Sequence, residues 1–499
     1  IIVKLPTCVI EPLYPTGRGH GLCYNAGILF GPNNPPPGAR NMVTNDSRFG
    51  TESKITQELA QFIVDTSYDK VPAPVVEAAK IAILDGIANM LAGSTQELAT
   101  IVGQYVRDSG GTPQSTVIGW GFKTHAPSAA FANGVFGHCL DYEIQGFPPT
   151  HGTSSCLPSA LALAEERGAS GQTVIEAYVL GWEIQGRLRA ASAPAANPAF
   201  HPPGMVGPLG GAAASAKVLG LNTYQTQMAL GIAASRTGGL TANTGTMVKA
   251  TRPGNAARMG VEAGLLTEAG FTASDQILEA SRGYAEALFN GNMDWDIVTQ
   301  GLGDSYRLVH PGFDLKRFPA QGGMQNPIEA VLNLREKYDL RADIVKELVL
   351  QTSGRGHSGS LPLTGLDGKF SVEYCAAAAL LDGQVVIDSF TDQRRFAPDM
   401  EETLQKIRVR PDGAESGPVK ATAELKDGRS VSDECHQFTG SAGNPMNRQQ
   451  RMTKIWDCIG RVLSDRDGER MLDLVENLEN IKDLSALMGI LGQRPPTNS

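Results

Sequence analysis

The chain has 499 residues, 41% of them apolar and 19% charged, and a net charge of −9. Such a length exceeds what one hydrophobic core supports, so two domains are expected, one of them assembled from separated stretches. The acidic balance argues against nucleic acid or an anionic membrane as the main partner, since both reward surplus Lys and Arg; any anionic ligand must find its positive groups locally.

In chain order, residues 1–50 are rich in Pro and Gly and show no helical period, which predicts a poorly ordered N-terminal arm. The start without Met fits a trimmed terminus. From 51 to 312 the apolar spacing is helical, with Ile55, Leu59, Phe62 and Ile63 on one face and Val76, Ala79, Ile83, Ile87 and Met90 on the next. Ala/Gly runs such as "GPLGGAAASAKVLG" predict helices packed closely on small residues. They do not spell G-x-G-x-x-G, and no strand precedes them, so they give no dinucleotide fingerprint.

Within this region "LDYEIQGFPPTHGTSSCLPSALALAE" crowds Asp141, Glu143, Gln145 and His151 into a stretch that Gly146, Pro148 and Pro149 keep from being helical. His151 precedes an apolar helix whose "GTSS" start offers free backbone N–H groups. His201, in "AFHPPGMVG", leads into another small-residue helix. Each histidine alone also fits a structural loop position. Lys249 and Arg252 stand in "GTMVKATRPGNAARMG", and Lys316 opens "KRFPAQGGMQN" at the expected domain boundary, where clefts form. Taken singly, each lysine fits a solvated surface position. On that footing, replacing either by Ala leaves stability within about 1 kcal/mol.

Residues 313–445 change character. "IVKELVLQTS", "LQKIRVRP" and "VKATAELKDGRSVSDECHQF" alternate as strands, with Asp427-Gly428 marking a hairpin, and "FSVEYCAAAALLDG", which carries Tyr374, reads as a helix. Residues 446–495 are helical again and are expected to return to the first domain. The fold class expected is mostly α: a large all-helical domain plus a smaller α+β lid domain.

Seven cysteines, Cys8, Cys23, Cys139, Cys156, Cys375, Cys435 and Cys458, lack C-x-x-C and zinc-type spacing. They predict reduced thiols in an intracellular compartment, cytoplasmic or mitochondrial. No run of eighteen apolar residues suggests a membrane span.

The ordered series "LDYEIQGFPPTH", "GWEIQGRL", "FHPPGMVGPLGGAAASAKVLGL", "PGNAARMGVEAGLL", "KRFPAQGG" and "FSVEYCAAAALLDG", spread over residues 53–492, resembles the MmgE/PrpD family, which includes 2-methylcitrate dehydratase and cis-aconitate decarboxylase. The resemblance implies a lyase without metal or cofactor, usually a homodimer, acting on a small polycarboxylate. Carried over by motif, its catalytic groups are Asp141, His151, His201, Lys249, Lys316 and Tyr374, with Lys249, Lys316, Gln145 and Arg252 as substrate-binding positions. Ile144, Gln145 and Met324 depart from the decarboxylase pattern. His151 is the expected proton donor, oriented by Asp141, with His201 and Tyr374 as secondary donors. Decarboxylation of cis-aconitate to itaconate leads; dehydration of a 2-methylcitrate-like acid, dicarboxylate epimerisation and a catalytically silent carboxylate-binding homologue are the alternatives.

Overall fold

A computed structural model describes residues 54–352, 361–411 and 417–495; the expected N-terminal arm lies outside them. The chain starts with α1 (Ile55–Asp65), α2 (Ala73–Gly93) and α3 (Glu97–Ser109), then a hairpin of β1 (Ser115–Val117) and β2 (Phe122–Thr124). Six helices follow: α4 (Ala126–His138), α5 (Thr153–Arg167), α6 (Gly171–Ser192), α7 (Pro202–Val218), α8 (Thr223–Ala234) and α9 (Val248–Glu268). The hairpin is a short interruption of the helical run. Gly119 and Gly121, at φ +74° and +67°, supply the left-handed turn that lets the chain reverse there.

The helices begin where the sequence offers caps. Ser170 accepts from Thr173 N–H at 3.2 Å, and Asn222 and Gln225 form a capping box on α8. The small-residue runs do pack backbone against backbone. A Cβ on Gly134 of α4 would sit 2.8 Å from Gly254 Cα of α9, so only glycines allow this crossing. It fixes the separation between the C-terminal end of α4 and the first turn of α9, where two candidate residues stand.

After the short helices α10 (Tyr284–Phe289) and α11 (Trp295–Thr299), strand β4 (Phe313–Asp314) runs antiparallel to β3 (Gln145–Gly146), pairing Gln145 with Asp314 and Gly146 with Phe313. This two-residue ladder ties the 140–150 loop to the segment entering Lys316. Next come α12 (Gln325–Tyr338), β5 (Val345–Thr352), α13 (Val372–Asp382), α14 (Asp392–Arg395), α15 (Pro398–Leu404), β6 (Ile407–Pro411), β7 (Val419–Leu425) and β8 (Ser430–Cys435). The sheet order is β6-β5-β7-β8, with β5 and β6 parallel and the other pairs antiparallel. The β7–β8 hairpin turns at Gly428, φ +90°, as the Asp-Gly signal predicts. Its apolar face, with Leu348, Leu350, Ala421 and Ala423, packs with α12 and α13 into a separate hydrophobic cluster.

Helices α16 (Arg448–Ile459), α17 (Asp465–Glu476) and α18 (Ser485–Leu491) close the described chain. α16 and α17 pack on α2, placing Ile455, Cys458, Met471 and Val475 in one core with Ile83, Ile87 and Met90. The molecule is thus mostly α with a smaller α+β part. Among the described residues, no helix is long and apolar enough to cross a membrane, and Cys139, Cys156, Cys375, Cys435 and Cys458 are buried free thiols.

Candidate active site

The site grows from the end of α4. Buried Ala, Val and Phe side chains pin that helix in the core, so its last residue, His138, is 1% exposed. The chain then turns through Asp141, which adopts φ +52°, a left-handed conformation that a short polar residue tolerates better than most. Asp141 N–H donates to His138 O at 3.0 Å. The turn presents Asp141 and Glu143, both buried, on the same side as His138 and His151.

Three lysines from distant parts of the chain converge on this turn. Lys249, in the first turn of α9, pairs with the Asp141 carboxylate and donates to His138 Nε2 at 3.1 Å. Lys316 donates to the Asp141 carbonyl at 2.9 Å, and Lys369, just before α13, to the Cys139 carbonyl at 3.2 Å. Glu143 lies between two imidazoles, bonded to His138 Nδ1 and 3.1 Å from His151 Nδ1. His201, the N-cap residue of α7, completes the group, its ring centroid 6.5 Å from that of His151 and 6.2 Å from that of His138.

Electrostatics decide the protonation states. Burial works to raise the Asp141 carboxyl, but Lys249 and Lys316 outweigh it and hold it well below the usual carboxylate range. Glu143 is likewise held low against burial by His138 and His151. Burial, then the Lys249 charge, pushes His138 down to about 4, and burial lowers both His151 and His201. The imidazoles are therefore neutral at pH 7. The network assigns His138 as the Nδ1–H tautomer, donating to Glu143 and accepting from Lys249 at Nε2. Burial pushes Lys316 down to about 8, against the pull of Asp141. Three ammoniums against two carboxylates leave a local positive charge inside an acidic protein, which suits an anion.

His138, Glu143 and His151 also present ligand atoms within 4.8 Å of one another, the one set among the described residues able to hold a metal ion. With Lys249 against His138 and Lys316 close behind Asp141, a divalent cation there would face strong repulsion.

The structure brings together Asp141, His151, His201, Lys249 and Lys316, and corrects three expectations. First, Glu143, not Asp141, orients His151, because Asp141 is committed to Lys249. Second, Tyr374 lies apart: its hydroxyl donates to Ser389 O at 2.5 Å and its ring packs in the sheet-side core against Phe390. Third, Lys249 and Lys316 are 7% and 1% exposed, so neither is a surface lysine whose loss would leave stability untouched. Arg252, expected at the substrate, bonds Leu240 O in the loop whose Gly239 carbonyl accepts from His201 N–H, and so stands beside His201. Its Nη1 and His201 Nδ1 are buried without a partner among the described residues, places where a polar ligand would recover hydrogen bonds.

Gln145 sits in β3 beside Gly322 of the "KRFPAQGG" stretch, half-buried. Ile144 and Met324 are fully buried in apolar clusters, so these two departures are packing positions. Sequence reasoning passed over His138 and Lys369 and left Glu143 without a role. Glu143 was visible within the acidic loop; His138, at a helix end, and Lys369, one residue ahead of the "FSVEYC" motif, carried no local signal.

Comparison with known proteins agrees with this picture. The MmgE/PrpD N-terminal domain matches residues 57–296 and the MmgE/PrpD C-terminal domain residues 318–480. The chain is 31% identical to the cis-aconitate decarboxylase of Homo sapiens over 463 residues, covering 89% of this chain and 95% of the relative. It is 28% identical to the cis-aconitate decarboxylase of Aspergillus terreus, covering 90% and 98% respectively. It is 25% identical to the mitochondrial 2-methylcitrate dehydratase of Yarrowia lipolytica, covering 74% of each.

Proposed function

The chain belongs to the MmgE/PrpD family, and from that premise we propose that it is a cofactor-independent lyase that decarboxylates cis-aconitate, or a close analogue, to itaconate. The observation that carries this reading is the convergence of Lys249, Lys316 and Lys369 on a turn that also holds a Glu143–His151 pair. It couples carboxylate-binding charge to a proton donor in one buried place.

In the proposed reaction, Lys249 and Lys316 hold substrate carboxylates. The bond from the methylene carbon to its carboxyl carbon breaks, carbon dioxide leaves, and the electron pair spreads over the allylic system. His151 then delivers a proton to the far carbon of that system, leaving the former methylene carbon as the terminal =CH2 of itaconate. His151 is neutral in the free protein, but an arriving polycarboxylate favours the imidazolium and so charges the donor when it is needed. In this reading the buried lysines oppose the developing negative charge without reorganising, which is electrostatic preorganisation.

In this reading residues 313–445 act as the lid and 51–312 with 446–495 as the body, and the narrow space between His138, Asp141, Lys249, Leu366 and Phe370 opens to a tricarboxylate as the segment around Phe370 moves off α9. A homodimer belongs to the same reading.

Likeness to a dehydratase supports a second reading, dehydration of a 2-methylcitrate-like acid by the same residues. Proton NMR of the purified protein with each acid separates the two: growth of itaconate methylene signals from cis-aconitate is the expected result, and water loss from 2-methylcitrate without itaconate would replace it.

A pH dependence follows from Lys316. It binds carboxylate only when protonated, and burial pushes it down to about 8, so the fall in kcat/KM that protonation of His151 sets at lower pH steepens as pH rises through that value. Lys316→Arg, which cannot lose its proton in that range, should flatten this alkaline limb. A limb unchanged in Lys316→Arg would assign the titration to another group.

A further inference from the structure

One buried ion pair outside the cluster touches both strands of chain that deliver it. Lys454, on α16, is 4% exposed; its ammonium donates to the Tyr142 carbonyl at 2.6 Å and the Lys316 carbonyl at 3.0 Å and pairs with Asp85 Oδ1 at 2.6 Å. Asp85, on α2 and 1% exposed, uses Oδ2 to accept from Ile144 N–H at 3.2 Å and from Asn89 Nδ2 at 3.1 Å. The Tyr142 ring lies 4.0 Å from Lys454 Nζ, and its hydroxyl donates to Arg317 O at 3.0 Å. The backbone on either side of Glu143 and the carbonyl of Lys316 itself are thus held by one pair, and neither member touches His138, His151, His201 or Lys249 by any contact found among the described residues.

We propose that Lys454 and Asp85 are positioning residues: an internal pin that sets the turn of Asp141 and Glu143 against Lys316, 175 residues from Asp141 along the chain, at the spacing the reaction needs. The physical case rests on cost. A buried ion pair is seldom the most stable way to fill such a volume, since well-packed apolar residues are often as good or better. What apolar residues could not do is donate to two backbone carbonyls from one ammonium held by a paired carboxylate that itself accepts from the Ile144 N–H, which is what fixes this loop against this segment. The left-handed turn at Asp141 adds a need for it, because a strained conformation persists only where its surroundings over-determine it. Lys454 thereby gives the C-terminal helix a part in catalysis without contact with substrate.

The proposal rests on the lyase reading, and its test keeps the two apart by including a measurement made without substrate. Lys454→Met alone leaves the Asp85 charge buried and unpaired and can fail to fold, so the deciding variant is the neutral pair D85N/K454M, with folding checked by circular dichroism melting. In this variant kcat on the tricarboxylate should fall about 100-fold, the loss that a displacement of about 1 Å produces, while KM stays within about 3-fold. The ring proton NMR signals of His138 and His151 in the free protein should move as well. A folded D85N/K454M with kcat near wild type and unmoved histidine signals overturns the pin. A wild-type protein inert toward tricarboxylates, with histidine signals still displaced in D85N/K454M, sinks the lyase reading and leaves the pin standing.

Discussion

His151→Gln should lower kcat on cis-aconitate by about 10²–10⁴-fold, the usual contribution of a positioned acid or base, with the dissociation constant for the substrate little changed. Glutamine keeps the approximate length of the side chain and can still donate to Glu143, 3.1 Å from His151 Nδ1. It cannot carry a proton to carbon. Steady-state kinetics together with calorimetric titration separate the two effects: a transition-state interaction shows in kcat, a ground-state one in affinity. Loss confined to affinity would reassign His151 to carboxylate binding and leave the proton donor to be sought at His138 or His201. The role of Glu143 follows from the same geometry. Its carboxylate lies beside Nδ1 at 3.1 Å and so leaves Nε2 for the substrate.

Lys249→Met carries the second large effect, and it has two parts. Catalysis should fall by about 10²–10³-fold in kcat/KM through loss of a preorganised positive group. Stability should fall by about 3–5 kcal/mol, because Asp141 keeps its charge in a buried turn whose main partner is gone. Asp141→Asn in the same chain removes that charge and should recover most of the stability while recovering none of the activity. Thermal melting of the single and double variants, read beside their kinetics, checks both parts. A Lys249→Met protein as stable as wild type would mean that Asp141 is neutral or otherwise compensated, contrary to a carboxyl held well below its usual range by Lys249 and Lys316. The expectation of a near-neutral substitution fails here because it assumed an exposed lysine, and exposure is a property of packing that residue type alone states only on average.

Other parts of the site show where sequence reasoning stops. The loop at 140–151 was legible because proline and glycine forbid helix there and because its acidic and imidazole groups are dense. The strands after 313 were legible from alternation, and the β7–β8 turn from Asp-Gly. Tyr374 was placed in the site by motif, yet it lies on α13 with its hydroxyl turned to Ser389; a motif conserves the residue, while the direction of its side chain depends on how α13 sits on the sheet. His138 and Lys369 were passed over because each meets its partners across long sequence separations: Lys249 is 111 residues from His138, and Lys369 is 230 from Cys139.

The sequence by itself determined the elements: helical periods, caps and breakers, strands by alternation, and a loop rich in groups able to move protons, all set by interactions within a few residues. Its motifs also determined the family. Only the tertiary structure decided which partners those groups take, that Glu143 and not Asp141 faces His151, that three lysines meet over one turn, and that Lys454 holds the turn in place. The reason is that local propensities act through neighbouring dihedrals, whereas the charge state and aim of a buried side chain depend on burial and on partners that the β3–β4 pairing and the Gly134–Gly254 crossing bring from elsewhere in the chain.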